Sequence, residues 1–217
     1  MSPERITRVL GLDIGNAKVK ALYLEVQQGQ IRRCVWDSLP LPVSEDRAMD
    51  FQVYLPLELL QFFHAQGLDK TDLDQVVVCC SHSFAFDPYS DSIRHLQGLL
   101  QDYFEAIPVA LVRADGQLTP LEELTGCSDA ALYAYVFTNF YGSAWLASQQ
   151  IEQGISLDMG TTTLDIIPIH GGQIDPRGLA APARARDYLR FRYHQDRIHW
   201  LGMTVTPLEK LTARVTL

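Results

Sequence analysis

Two short runs constrain this chain more than anything else in it. VLGLDIGNAKVKALYLEV, Val9 to Val26, is apolar enough to be buried, yet Asp13-Ile14-Gly15 interrupts it before it resumes. ISLDMGTTTLDIIPI, Ile155 to Ile169, repeats the layout: apolar strand, Asp-x-Gly, polar turn, apolar strand. Glycine after a strand-end acid marks a tight reversal, because it accepts unusual backbone angles and leaves room for a close approach. Each run therefore reads as a hairpin with a carboxylate at its mouth. One such hairpin is weak evidence, since Asp-x-Gly occurs in ordinary turns. Two of them, with Asp13 and Asp158 lying 145 residues apart, imply a repeated architecture.

The segments between the hairpins are consistent with that reading. Val9 to Ile14 and Val19 to Val26 are strands, Gln28-Gly29-Gln30 is a hairpin turn, and Ile31 to Ser38 is a third strand closed by Pro40 and Pro42. Leu55, Leu59, Phe62 and Phe63 share one face of a helix predicted from Phe51 to Gln66, with Gly67 as its stop. QVVVCC, Gln75 to Cys80, is a buried strand. Ile93, Leu96, Leu99, Leu100, Tyr103 and Phe104 recur at helical spacing over Ser90 to Phe104, and Pro108 to Val112 is another strand. Ser128 caps a predicted helix running to about Ser148, apolar nearly all round. Three antiparallel strands followed by alternating helical crossovers predict an α/β lobe with a mixed sheet flanked by helices. The expected domains are 1–150, and 151–217, where the opening hairpin starts again with 63 residues remaining after Gly154.

The turns carry a chemistry. A loop that approaches a phosphate needs free backbone N–H groups, no side chain in the way, and a hydroxyl or cation nearby. Gly15 with Asn16, Lys18 and Lys20 meets that description, as does Gly160 with Thr161, Thr162 and Thr163. Asp13 and Asp158 would repel a phosphate unless a divalent cation or its waters lay between. The expectation is a clamp: two hairpins facing across a cleft and gripping a phosphate chain with Mg²⁺.

Here the resemblance enters. GLDIGNAKVKALYL and LDMGTTTLDII resemble the first and second phosphate motifs of the actin, heat-shock-protein-70 and sugar-kinase superfamily, whose repeated lobes are ribonuclease-H-like. Within it, LDMGTTTLDIIPI and HWLGMTVTPLEKL are most similar to a family related to hydantoinases and oxoprolinases. That family is labelled a tetrahydromethanopterin-linked one-carbon transfer pathway protein, and its characterised function is a synthase in methanofuran biosynthesis. The resemblance covers nearly the whole chain and implies a ribonuclease-H-like (actin-like ATPase) lobe followed by an incomplete second lobe. It also implies a transferase in which a furanylmethyl diphosphate loses pyrophosphate to the phenol of a glutamyl-tyramine unit. On that reading Asp13 and Asp158 hold Mg²⁺ directly or through water. Gly15, Gly160, Thr161 and Thr162 contact phosphate oxygens, and Lys18 or Lys20 supplies positive charge. The sequence departs from the family at Leu164 and at Val205 before Thr206-Pro207. It ends at Leu217, short of the superfamily's adenosine-binding glycines, so a diphosphate substrate is expected over ATP and a second subunit or homodimer mate is expected to complete the cleft. The alternatives are an ATP-dependent kinase or hydrolase, and a non-catalytic scaffold that kept the fold.

Composition narrows the partners. The net charge of −8 argues against non-specific binding to nucleic acid or to an anionic membrane surface. No apolar run reaches the ~18 residues of a membrane span, and the start carries no signal-peptide pattern, so a cytoplasmic protein is expected. Cys34, Cys79, Cys80 and Cys127 form no spaced framework; Cys79-Cys80 ends an apolar strand and reads as buried thiols.

Smaller signals have plainer readings. Asp165 is either a second metal-supporting group or base, or a carboxylate satisfied by backbone N–H groups. Arg184, Arg186, Arg190, Arg192 and Arg197 read as a solvated helix face before an anion-binding or partner face. His82 borders a strand end, where a general base could sit, but reads first as a loop histidine. His194 and His199 have no ligand spacing. Tyr133, Tyr135, Phe137, Phe140, Tyr141 and Trp145 read as helix core.

Overall fold

The computed structural model describes residues 5–15, 18–42, 47–81, 86, 88–159, 163–174, 190–194, 197–200 and 205–206. They fall into two compact units, Met1–Asn139 and Phe140–Leu217.

The first unit is built on a mixed sheet of six strands in the order β3-β2-β1-β4-β5-β6. β1 (Thr7–Ile14), β2 (Lys18–Gln27) and β3 (Gln30–Pro40) form an antiparallel meander. The turn between β2 and β3 places Gln28 at φ 55° and Gly29 at φ 73°, a pair of left-handed residues whose twist suits a two-residue hairpin. β4 (Gln75–Cys80) lies parallel to β1, and β5 (Val109–Val112) parallel to β4. α1 (Arg47–Ala65) links β3 to β4, and α2 (Ser90–Phe104) links β4 to β5. Right-handed crossovers put both helices on one sheet face. There Leu10, Leu12, Ile14, Val19, Ala21, Val76 and Val78 meet Phe51, Leu55, Leu59, Ile93, Leu96 and Leu100, all nearly inaccessible to water. Truncating any of the leucines to alanine should cost about 2–5 kcal/mol, the transfer term plus the cavity. Gly67, at φ 61°, ends α1 where the Leu68 N–H reaches back to the Phe63 carbonyl at 2.9 Å.

Two expectations change. A short strand, β6 (Leu118–Pro120), is added beyond β5. The helix predicted from Ser128 to Ser148 is broken. Ser128 does cap it, accepting from the Ala131 N–H. But α3 covers only Asp129–Leu132, a 3-10 turn follows at Tyr133–Tyr135, and α4 (Phe140–Ser148) begins afresh. Between them Phe137 sits at φ 58° with 1% of its surface exposed. The cause is the end of β4. Thr138 donates its N–H to the Cys80 carbonyl at 2.9 Å, and its hydroxyl accepts from the Cys80 N–H at 3.3 Å. Satisfying that buried strand end outweighs the helical tendency of the run. The aromatic cluster is thus split: Tyr135 and Phe137 are buried in the first unit, Phe140 in the second, and Trp145 is 52% exposed.

In the second unit α4 packs on the hairpin of β7 (Gln153–Met159) and β8 (Thr163–His170), through Phe140, Ala144 and Ile167. β9 (Gln173–Ile174) returns on β8 through Gly171 and Gly172, both at positive φ. β10 (Arg190–His194), β11 (Arg197–Trp200) and β12 (Val205–Thr206) extend the sheet in the order β12-β11-β10-β8-β7. The basic run is therefore not a helix face where it is described: Arg190 and Arg192 lie on β10 and Arg197 on β11. The alternation Arg-Phe-Arg-Tyr has the two-residue period of a strand, which outranks its charge. Arg184 and Arg186 lie outside the described residues.

No helix among the described residues is long and apolar enough to cross a membrane.

Candidate functional site

The first hairpin is closed by its own backbone. The Gly15 N–H donates to the Lys18 carbonyl at 3.0 Å, so this amide is committed to the turn. A Cβ built on Gly15 would stand 3.0 Å from the same carbonyl, too close for any side chain without movement. Gly15 therefore serves the turn by lacking a side chain rather than by offering its N–H. The Ser81 N–H donates to the Ile14 carbonyl at 2.8 Å, tying the hairpin mouth to the end of β4. The mouth thus sits at the carboxyl ends of the parallel strands β1 and β4, where open α/β sheets bind ligands.

Asp13 and Lys20 stand opposite each other in the β1–β2 ladder, and the Lys20 ammonium donates to Asp13 Oδ2 at 2.7 Å. Lys20 is 59% exposed and Asp13 25%, so water screens the pair and it adds less than about 1 kcal/mol to stability. Its effect is local: the carboxylate is neutralised and the ammonium is held at the mouth. Of the two lysines considered, Lys20 is the one in contact with Asp13. Lys18 opens β2, is exposed, and contributes its carbonyl to the turn.

The second hairpin carries a different pair at the same register position. Asp158 on β7 stands opposite Asp165 on β8. Directly opposed residues of an antiparallel ladder share a face, with Cβ atoms roughly 4.5–5.5 Å apart. Both carboxylates therefore project to the side covered by α4, whose Ser143 hydroxyl lies 3.5 Å from Asp158 Oδ2. Asp165 is 0% exposed. Two carboxylates on neighbouring positions repel when both are charged, and a cation between them would relieve that repulsion.

Asn16, Gly160, Thr161 and Thr162 lie outside the described residues, as does His82. Thr163 begins β8. Cys79 and Cys80 match the structural reading: their sulfurs contact the carbonyls of Leu12 at 3.7 Å and Tyr135 at 3.9 Å. Sequence reasoning missed Ser81, Thr138 and Ser143, whose short polar side chains sit in apolar runs and carry no motif. It did not foresee that Asp165 stands against Asp158, though the spacing offered a signal. Asp13 to Lys20 and Asp158 to Asp165 are both seven residues apart.

The donors fit Mg²⁺ in part. Among the described residues no group of three or more His, Cys, Asp or Glu side chains could hold a metal alone. Mg²⁺ rarely needs one: it keeps several waters and takes one or two carboxylates plus substrate phosphates. Asp158 and Asp165 would supply such a pair, while Asp13 would share its carboxylate with Lys20.

The first unit's order β3-β2-β1-β4-β5, with helical crossovers after β3 and β4, is the ribonuclease-H-like order that the sequence led one to expect. No protein-family model matches the chain, and no curated protein sequence does. Among solved structures it is similar to a Ppx/GppA family member from Aquifex aeolicus, at 14% identity over 79% of this chain and 50% of that one, with a TM-score of 0.40. It is similar to YeaZ from Pseudomonas aeruginosa, at 16% identity over 78% and 63% and a TM-score of 0.37. It is also similar to the ethanolamine utilization protein EutJ from Carboxydothermus hydrogenoformans, at 12% identity over 80% and 50% and a TM-score of 0.42. The chain thus spans less than two thirds of the length of each.

Proposed function

We propose that this chain binds a phosphate-bearing substrate with Mg²⁺ through its two Asp-x-Gly hairpins, and that the substrate is a diphosphate ester. The observation that carries the reading is the paired chemistry at matching positions: Asp13 with Lys20 in one unit, Asp158 with Asp165 in the other. The first offers an ammonium to phosphate oxygens. The second offers two carboxylates to a cation, and Mg²⁺ when bound would draw charge from the leaving phosphate oxygens. Gly160 with Thr161, Thr162 and Thr163 would add amide and hydroxyl donors. Lys18, exposed at the start of β2, is a second cation within the same turn.

The finer reading is a transferase of methanofuran-type cofactor assembly, and the motif resemblance supports it. The phenol oxygen of a glutamyl-tyramine acceptor bonds to the furfuryl carbon. The bond from that carbon to the diphosphate oxygen breaks, pyrophosphate leaves with the electron pair, and the phenolic proton passes to a base. A second subunit or homodimer mate is part of this proposal, as is a cytoplasmic setting.

Titration calorimetry with pyrophosphate in the presence and absence of Mg²⁺ tests the broader reading. Binding that requires Mg²⁺, and that is lost in Asp158→Ala, supports it; no binding at millimolar ligand removes it. For the finer reading, the protein purified with its native companions is incubated with a furanylmethyl diphosphate and tyramine. Pyrophosphate release is expected, and its absence while Mg²⁺-pyrophosphate still binds would leave the kinase or hydrolase alternative in its place.

A further inference from the structure

β3 is the edge of the first unit's sheet, pairing with β2 on one side; among the described residues no strand pairs with the other. It is 11 residues long, well above the usual five or six, and its outer row of N–H and C=O groups is a template for another strand. Beside its charges it exposes two large apolar side chains: Trp36 is 70% exposed and Ile31 62%. Trp36 stands opposite Leu22 of β2, itself 39% exposed, so the apolar surface continues inward from the edge.

The charges on this strand are self-complementary. The register pairs Glu25 with Arg33 and Ala21 with Asp37, which puts Arg33, Val35, Asp37 and Leu39 on the face with the core, and Cys34, Trp36 and Ser38 on the other. When two copies of such a strand pair antiparallel about a two-fold axis normal to the sheet, each residue before the centre meets its mirror position after it. Centred on Val35, that pairing sets Arg33 against the second copy's Asp37, twice. It also sets Trp36 beside the second copy's Cys34; the regular pairing runs from Arg33 onward, because β3 carries a bulge at Arg32. Moving the centre to Cys34 sets Arg33 against Val35; moving it to Trp36 sets Arg33 against Leu39. Val35 is the centre at which both charges are answered and the exposed Trp36 gains a neighbour. Arg33 is already steered, its guanidinium over the Tyr23 ring at 5.7 Å and donating to the Gln66 carbonyl at 2.8 Å. That holds part of its donor fork without a carboxylate.

We infer that β3 is a homodimer interface in which two copies join their sheets edge to edge, in register about Val35. Edge pairing buries a small area, so the dimer is micromolar rather than nanomolar. Independent of the proposed chemistry, this surface belongs to the first unit alone.

The test is sedimentation equilibrium of the full chain from about 1 to 300 µM. A concentration-dependent shift from monomer to dimer is expected. Asp37→Arg, at an exposed position, sets like charges opposite each other at both pairs and should weaken association about tenfold or more. Arg33→Asp should do the same, and the double exchange Arg33→Asp with Asp37→Arg should restore it. In a Cys34→Ser background, Val35→Cys should cross-link into a dimer under mild oxidation, because the two copies of that position meet at the axis. A monomer throughout the range overturns the inference. So does a dimer indifferent to the Asp37→Arg change, or one in which Val35→Cys fails to cross-link.

Discussion

The two hairpins share a plan and differ in charge. In the first, the residue seven places after the motif acid is Lys20, and it holds Asp13 at 2.7 Å. In the second, the corresponding residue is Asp165, wholly buried opposite Asp158. The first is locally neutral with an exposed ammonium, so it can meet an anion as it stands. The second concentrates negative charge in a drier setting, where like charges repel more strongly and a cation is favoured. One backbone device, a strand reversed at Asp-x-Gly, therefore supports opposite electrostatic roles, decided by a single cross-strand residue.

Exchanging that residue tests the contrast most severely. Asp165→Lys copies the first hairpin's pattern into the second. It should abolish Mg²⁺-dependent pyrophosphate binding and, at a fully buried position, cost about 3–5 kcal/mol of stability by urea denaturation. Asp165→Asn preserves shape and should lower Mg²⁺ affinity about 10- to 100-fold in titration calorimetry. Unchanged affinity there would mean that the acidic pair has no metal-binding role.

Gly15→Ala tests the turn itself. The new Cβ meets the Lys18 carbonyl at 3.0 Å, and about 1–3 kcal/mol should be lost. Gly11→Ala on the same strand is the control. There the nearest atom is 3.7 Å away, an ordinary contact, and the change in melting temperature should be small.

The converse exchange, Lys20→Asp, makes the first hairpin acidic like the second. Both positions reach solvent, so stability should change by less than about 1 kcal/mol. Pyrophosphate affinity should nevertheless fall about tenfold, which is 1.4 kcal/mol. Equal affinity would break the contrast, since the exposed ammonium would then have no part in anion binding.

The smallest effect concerns pH. Burial holds the His95 imidazole of α2 below the usual histidine range. Its folded-state pKa lies under the unfolded value, so its contribution is fully present above pH ~6.5 and is lost as pH falls toward the depressed value. The urea midpoint should drop between pH 7.5 and 5.5, and less so in His95→Gln. His95 belongs to the first unit, so probes there should report the change.

What could be read in advance depended on how local its cause was. The α2 boundaries, Ser90 to Phe104, follow from an uninterrupted apolar period, and the Gly29 and Gly67 reversals from glycine's backbone freedom. Asp13 and Lys20 could be named but not paired, because the ladder register depends on the length of the turn. The partner of α4 was not legible either, since its Phe140 and Ala144 pack on Ile167, more than twenty residues further along the chain.

By itself, the amino-acid sequence determined the two hairpins, the amphipathic helices and the α/β order, because each rests on neighbours a few positions apart. Tertiary structure decided the rest. It broke the helix after Leu132 so that Thr138 could satisfy the end of β4, and it set a carboxylate against Asp158 where the first hairpin has an ammonium. Among the described residues it also left β3 at the edge of its sheet. Those outcomes turn on hydrogen-bonding groups and charges that meet only after distant segments have packed, where leaving one unanswered costs more than any local preference can return.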